Sequence, residues 1–333
     1  MAKWLSKSMS WIYPGSPSCN SNTEYSDGRV THFLKPEYYR VDSNGDLEQV
    51  TVAADGCNAY SVANAADIRK NCDKAYFTIS GSYSSIFTLV GDSGKETTAI
   101  NTIKTFLTTT GFDGIELDWE GFGSWTAQEY SDYKSFVDTL GTSLALVGKK
   151  LMIDGPPIGD ATEQGYYEWK YEDFESLAVD YIVALAYDWQ YDFGAGTSIS
   201  PTSRVNNVCD WMKGKITNID RIVIGLPSYG YHGVTAGYTI IIDTKTESEA
   251  FTGYGTATRN SDHEMNWTNG GSSYFYNDAT GISSKRDIVE AKGIKFVSVW
   301  HLGGNDGFTG KDEQSITKGF INNTSKSLGV NII

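Results

Sequence analysis

Eight apolar segments recur along the chain, at residues 8–14, 31–41, 75–80, 114–120, 150–157, 180–189, 221–231 and 294–303. Several are almost continuously apolar, the pattern of parallel strands covered on both faces. Helical stretches are readable between many of them. The clearest, 126–146, opens with Thr126-Ala127-Gln128-Glu129, a capping box in which Thr126 and Glu129 each satisfy an orphan amide. Tyr130, Tyr133, Val137, Leu140 and Leu144 then fall three or four apart and give a buried stripe. Residues 99–109, 170–178, 202–215, 284–292 and 312–322 are further helix candidates. Strand–helix alternation repeated eight times predicts an α/β fold, a closed (β/α)8 TIM barrel.

The spacing breaks once. Some 60 residues separate the seventh and eighth strand candidates, and they contain the strand-like runs GYTIIID, SEAFTGYG and SSYFYND. Residues 231–283 are therefore expected to form a small insertion on the barrel top. The step Asn44-Gly45 predicts a hairpin that extends the second strand beyond the rim. No linker, internal repeat or charge block divides the remainder, so residues 1–333 read as one barrel.

Composition narrows the function classes. Hydrophobic residues make up 40% of 333, enough for one large core. No apolar run reaches about 18 residues, so no membrane span is expected. The opening MAKWLSKSMSW lacks the apolar stretch of a secretory signal. A net charge of −14 without a basic patch argues against a nucleic-acid partner. Cys19, Cys57, Cys72 and Cys209 are widely spaced and form no CxxC pair, and the four histidines form no HExxH. No metal or other cofactor is implied. The cysteines read as buried thiols, with disulfides open to an exported chain. A Walker loop, a GxSxG elbow and a dinucleotide fingerprint are all missing.

The chemistry concentrates in GFDGIELDWEGFG, residues 111–123. Side chains on a strand alternate between faces with a rise of about 3.3 Å per residue. Glu116, Asp118 and Glu120 therefore share one face, about 6.6 Å apart along it, while Ile115, Leu117 and Trp119 face the helices. Inside a barrel the acidic set points into the interior, and its last member reaches the C-terminal mouth, where active sites of this fold lie. Stacked carboxylates cannot all ionise cheaply, so protons are shared and at least one pKa rises. A general acid near neutral pH needs that shift. A purely structural acid network is the other reading of the spacing.

FDGIELDWE closely resembles the DGxDxDxE signature of the family 18 glycoside hydrolases, the chitinase-like enzymes. KAYFTISGSYS resembles the family's third-strand SxGG motif, LAYDW (185–189) its sixth-strand MxYD motif, and IVIGLPSYGYH its seventh-strand GLPxYG motif. GIKFVSVWHLGGND resembles its eighth-strand segment. The resemblance spans residues 8 to 320 and implies a single catalytic barrel. By position it implies that Glu120 is the catalytic acid, that Asp118 holds the substrate's N-acetyl group, and that Glu116 is the deeper acid paired with Asp118. Asp113 opens the motif in a structural role. Tyr187 and Asp188 match the pair around the acetyl group and reacting sugar, Trp300 the aromatic floor beneath it, and Trp11 is a further substrate-binding candidate. Trp125, Trp169, Trp189, Trp211 and Trp267 stand as either subsite platforms or core.

These matches imply hydrolysis of N-acetylglucosamine-containing polysaccharides, most simply chitin, with peptidoglycan and N-glycan cores as other substrates of the family. The implied mechanism is substrate-assisted and retaining, with the sugar's own acetamide as nucleophile. The substrate class implies an extracellular site of action. Three positions depart from the pattern: Glu116 stands where Asp is usual, Ser80 replaces a Gly, and Leu185 replaces the usual Met. Two other readings share the same barrel, a non-catalytic glycan-binding protein and a structural component of a larger assembly.

Overall fold

The computed structural model describes residues 7–12, 32–50, 59–234, 240–243 and 253–302. Strands β1 (Lys7–Ile12), β2 (Phe33–Val41), β3 (Leu47–Gln49), β4 (Lys74–Gly81), β5 (Gly114–Trp119), β6 (Lys150–Gly155), β7 (Tyr181–Leu185) and β8 (Ile222–Pro227) come first along the chain. A second group follows: β9 (Gly230–Val234), β10 (Ile240–Asp243), β11 (Thr258–Arg259), β12 (Met265–Asn269) and β13 (Ser272–Tyr276). The last strand is β14 (Phe296–Leu302). One sheet runs β1-β14-β8-β7-β6-β5-β4-β2, and β1 pairs with β2 to close it. All eight of these strands are parallel to their neighbours, so the ring is a (β/α)8 TIM barrel, as the alternation predicted.

The strand β3 lies outside the ring, antiparallel to β2. The turn between them is the predicted hairpin at Asn44-Gly45. Asp42 Oδ1 accepts from the amides of Asn44 and Asp46, and Gly45 adopts φ +78°, which a side chain resists. A separate antiparallel sheet, β10-β9-β13-β12-β11, sits between β8 and β14 in the chain. Sequence reading merged β8 and β9 into one run. The chain breaks there because Pro227 has no amide to donate, and Ser228 turns to bond Trp300 O.

Helices pack outside the ring: α1 (Val62–Lys70), α2 (Tyr83–Leu89), α3 (Ser93–Thr110), α4 (Ala127–Ala145), α5 (Ala161–Tyr167), α6 (Trp189–Phe193), α7 (Thr202–Lys215) and α8 (Ala279–Ala291). The capping box at Thr126 and Glu129 is present. Asp92 caps α3 by accepting from Gly94 and Lys95, a signal the sequence reading did not use. The helix expected at 170–178 is only a 3-10 turn, Tyr171–Phe174. Its apolar residues are too few for a longer stripe, and Tyr171 and Phe174 are already buried by one turn. The candidate at 312–322 lies outside the described residues, as do Cys19 and Cys57. Cys72 and Cys209 are free thiols. Among the described residues no helix is long and apolar enough to cross a membrane.

Of the three apolar clusters among the described residues, one, Trp267, Tyr274 and Tyr276, lies in the small antiparallel sheet, and the other two build the barrel. The larger fills the space between ring and helices. The smaller fills the barrel itself, and its floor is aromatic: Phe33, Tyr76, Tyr181 and Phe296 meet at centroid distances of 5.2–6.4 Å. These residues lie towards the N-terminal ends of β2, β4, β7 and β14, so they plug the lower end and leave the C-terminal end for polar groups. Gly114 makes the plug possible. A Cβ there would lie 2.5 Å from the Tyr76 ring and 2.5 Å from Lys150 O. Gly114→Ala should therefore displace the ring or the strand and cost about 1–3 kcal/mol; a urea titration giving a wild-type midpoint would contradict this packing.

Candidate active site

Strand β5 behaves as its alternation predicts. Ile115, Leu117 and Trp119 join the outer core, and Trp119 stacks on Phe136 of α4 at 5.4 Å. Glu116 is completely buried in the barrel, Asp118 is half-buried above it, and Glu120, one residue beyond the strand, opens to solvent at the mouth. Asp113, at the opposite end, accepts from Lys74 Nζ (2.9 Å) and the Ala75 amide (3.0 Å), which ties β4 to β5.

The charge on Glu116 has a partner that sequence reading missed. Lys35, on β2, is also fully buried, and its ammonium donates to Glu116 Oε1. Thr78 Oγ1 donates to the other oxygen at 2.9 Å. The ammonium stands 3.4 Å from the centroid of the Trp11 ring, a cation–π contact, and 3.8 Å from Met152 Sδ. Trp11 itself is only 3% exposed. With Lys35 over its face, it has little surface to offer a ligand and serves as the bed for the ammonium. The alternation that flagged β5 holds in β2 as well, where Lys35 and Glu37 stand two apart within an apolar run.

A third interior carboxyl, Asp154 on β6, was also not foreseen. It is fully buried, and no N–H or hydroxyl donor reaches either oxygen among the described residues. The carboxyls of Glu116 and Asp118 act on it electrostatically. Burial, then the charges of Glu116 and Asp118, push Asp154 well above the usual carboxylate range, which favours its protonated form. Burial and the Glu116 charge raise Asp118 to about 6, while Asp154, Lys35 and Glu120 pull the other way. Glu120 goes further, well above its ordinary value, because its recess is desolvated and Asp118 and Asp188 add negative charge. Its outer edge meets water, yet the recess walls and the two neighbouring anions outweigh that contact in setting its proton affinity.

The opposite wall is built after β7. The run 180–189 is not one strand: the strand ends at Leu185, and α6 begins at Trp189. Asp188 lies between them in the left-handed region, φ +68°, a costly position for a non-glycine residue. Two tyrosines hold it there, since Tyr229 and Tyr231 both donate their hydroxyls to Asp188 Oδ1. Burial raises Asp188 to about 6, and those two bonds limit the rise. Tyr187 is buried beside the acids, and burial followed by the Glu120 and Asp118 charges keeps its hydroxyl protonated. Trp300 is half-buried on β14 and meets Tyr229 edge-on at 5.1 Å. Leu185 faces the barrel interior with Tyr187.

The tryptophans considered as platforms are mostly core: Trp125, Trp169, Trp189 and Trp267 are all below 7% exposed. Trp211 is half-buried on α7 beside Lys215. Large exposed aromatics are instead Tyr83, Tyr166, Tyr191 and Phe193, each on a segment that follows a barrel strand at its C-terminal end. Glu37 completes the acidic rim. It accepts from Ser80 Oγ, so the residue standing in place of the usual Gly has a partner, and burial raises Glu37 to about 7. The recess thus holds a carboxyl of raised proton affinity at its lip, a chargeable carboxylate beneath it, hydroxyl donors opposite and an aromatic side chain alongside. Such a set can donate a proton to a leaving oxygen and orient a polar N–H group.

Known proteins share this family and fold. The model for glycosyl hydrolases family 18 matches residues 11–306. The cortical fragment-lytic enzyme of Bacillus subtilis (strain 168) is 25% identical over 216 residues, covering 58% of this chain and 47% of that protein. The chain thus spans about half the length of this curated relative. Two solved structures share the fold: the Bacillus cereus spore cortex-lytic enzyme SleL (TM-score 0.75, 16% identity, 96% of this chain and 75% of that one) and a chitinase from Chromobacterium violaceum ATCC 12472 (TM-score 0.76, 14% identity, 98% and 100%). With the family model matched from the first barrel strand to the last, and the acid-bearing β5 strand inside that match, the chain belongs to glycosyl hydrolases family 18.

Proposed function

We propose that this chain, read as a single catalytic barrel with its insertion, hydrolyses β-1,4-linked N-acetylglucosamine polymers, most simply chitin, by a substrate-assisted retaining mechanism. One observation carries the reading: Glu120 follows Asp118 by two residues and stands at the barrel mouth, where desolvation and the charges of Asp118 and Asp188 raise its affinity for a proton well above the ordinary carboxylate value. In this mechanism Glu120 protonates the leaving glycosidic oxygen. The acetamide oxygen of the reacting sugar attacks the anomeric carbon as that bond breaks. The Asp118 carboxylate accepts from the acetamide N–H and balances the positive charge that develops there. The Tyr187 hydroxyl and Asp188 border the acetyl group, Glu116 backs Asp118, and Trp300 lies beneath the sugar. Glu120, now ionised, takes a proton from water, which opens the cyclic intermediate from the original leaving-group face and yields the β product. The family is an exception to the two-carboxylate scheme, and no enzyme nucleophile is assigned.

The acidic recess and net charge of −14 favour a neutral polymer over one bearing carboxylates. The names of the Bacillus relatives favour a second reading, in which the polymer is spore cortex. Digestion of matched N-acetylglucosamine oligomers and cortex fragments separates the two. Tight binding of either without cleavage would instead support a glycan-binding protein.

Three outcomes follow. Glu120→Gln keeps the shape but removes the proton donor, so turnover should fall by about a hundredfold or more while oligomer binding survives; wild-type turnover would sink the assignment. Fully acetylated oligomers should be cut and deacetylated ones spared, with NMR of fresh digests showing the β anomer first. An α product, or efficient cleavage at a deacetylated sugar, would refute the mechanism. Finally, kcat/KM measured from about pH 4 to 9 should be bell-shaped. Its acidic limb should fall near about 6, where Asp118 and Asp188 gain protons, and its alkaline limb should follow loss of the Glu120 proton. A plateau extending well below the acidic limb would show that neither aspartate needs its charge.

A further inference from the structure

A strand lysine buried inside the barrel, under a group of carboxyls, requires an explanation that the catalytic roles do not supply. Lys35 touches no part of the recess open to solvent. It is fully buried, its head is bonded to Glu116, and its other face rests on Trp11. Burying an ammonium costs on the order of several kcal/mol, and a salt bridge often only breaks even against an apolar pair of similar volume. Stability alone is therefore a weak reason for a lysine here. What the pair does change is the field above it. Its charge bears on Glu116 and Asp118 from β5 and on Asp154 from β6. Glu37 from β2, Glu120 beyond the end of β5, and Tyr187 and Asp188 after β7 join the network through Asp118 and Glu120. All but Tyr187 are carboxyls, and Lys35 is the cation paired within this cluster.

We propose that Lys35 is a positioning residue for the acid cluster: bound to Glu116 beneath the recess and seated on Trp11, it supplies the positive charge that opposes protonation of the carboxyls Asp118 and Asp154 above it. The proposal rests on the catalytic reading only for its consequence in turnover. Its physical content stands without it. Lys35 opposes protonation of both Asp118 and Asp154, whereas Glu116 favours it. Lys35→Met keeps the volume and removes the charge, so Asp118 should hold its proton to higher pH. Glu116→Gln removes the opposing charge and should move Asp118 the other way. The double variant cancels both and should return near the starting point.

The test is a carbon-13 NMR titration of the Asp118 carboxyl in aspartate-labelled protein, with the signal assigned by its loss in Asp118→Asn. The Asp118 midpoint should rise by about one unit or more in Lys35→Met, as removal of a nearby opposite charge predicts. It should fall in Glu116→Gln. An unchanged midpoint in folded Lys35→Met overturns the proposal. Should that variant not fold, Glu116→Gln and the double variant decide: equal midpoints mean that Lys35 exerts no control, and a higher midpoint in the double supports it. No turnover is needed, so loss of the catalytic reading would leave this result interpretable. If the enzyme is active, the acidic limb of its pH profile should shift with the NMR midpoint, which a merely structural lysine would not cause.

Discussion

Carboxyl groups stacked inside a barrel otherwise lined by apolar side chains impose the constraint that everything else in this molecule answers. Each ionised group moved out of water costs on the order of several kcal/mol unless it is paired. Glu116 meets the cost with a cation, Lys35, and a hydroxyl, Thr78. Asp154 has no donor partner among the described residues, and burial favours its protonated form. Burial and the Glu116 charge raise Asp118 to about 6. The ladder therefore runs from an ion pair at the bottom to an acid of raised proton affinity at the lip. A proton can be given up at the top without leaving an unbalanced charge at depth.

The fold makes this ladder affordable by separating two interiors. Apolar residues on the outward face of each strand build the large core against the helices. The inward face begins with the plug of Phe33, Tyr76, Tyr181 and Phe296, for which Gly114 gives up its side chain. Above the plug the strands bring Lys35, Thr78, Glu116 and Asp154 from β2, β4, β5 and β6 to one place. Pairing in register fixes their heights, with Thr78 opposite Glu116 and Ser80 opposite Asp118. Side-chain alternation then leaves each of them facing inward.

The far wall uses a different device. Asp188 adopts a backbone conformation that side chains resist, held by hydroxyls from Tyr229 and Tyr231. Both tyrosines follow β8 and are buried against Trp300 and the barrel interior. One small cluster thus ties the end of β7 to the end of β8 and to β14. The charge of Asp188 in turn helps keep Glu120 protonated, so the two walls of the recess are coupled electrostatically.

Much of this was determined by the sequence. Alternating apolar runs and helix signals dictate the barrel, because parallel strands need covering on both faces. The turn chemistry of Asn44-Gly45 dictates the hairpin, and the period of two in β5 assigns Glu116, Asp118 and Glu120 to one face. Local patterns suffice for these because strand pleat, capping and turns are set by neighbours in the chain. The partners of those acids were decided only by tertiary structure. Lys35 and Asp154 lie 81 and 38 positions from Glu116, and nothing local in either strand says that they converge on one height of the barrel. Trp11 reads as a sugar platform until Lys35 is seen covering it. Trp125 and Trp169 read equally as platforms or core until packing buries them, while Tyr83, Tyr166, Tyr191 and Phe193 take the exposed positions after the barrel strands. The raised proton affinity of Asp154 is decided in the same way: it depends on what surrounds the carboxyl in space, and a linear pattern holds no record of that.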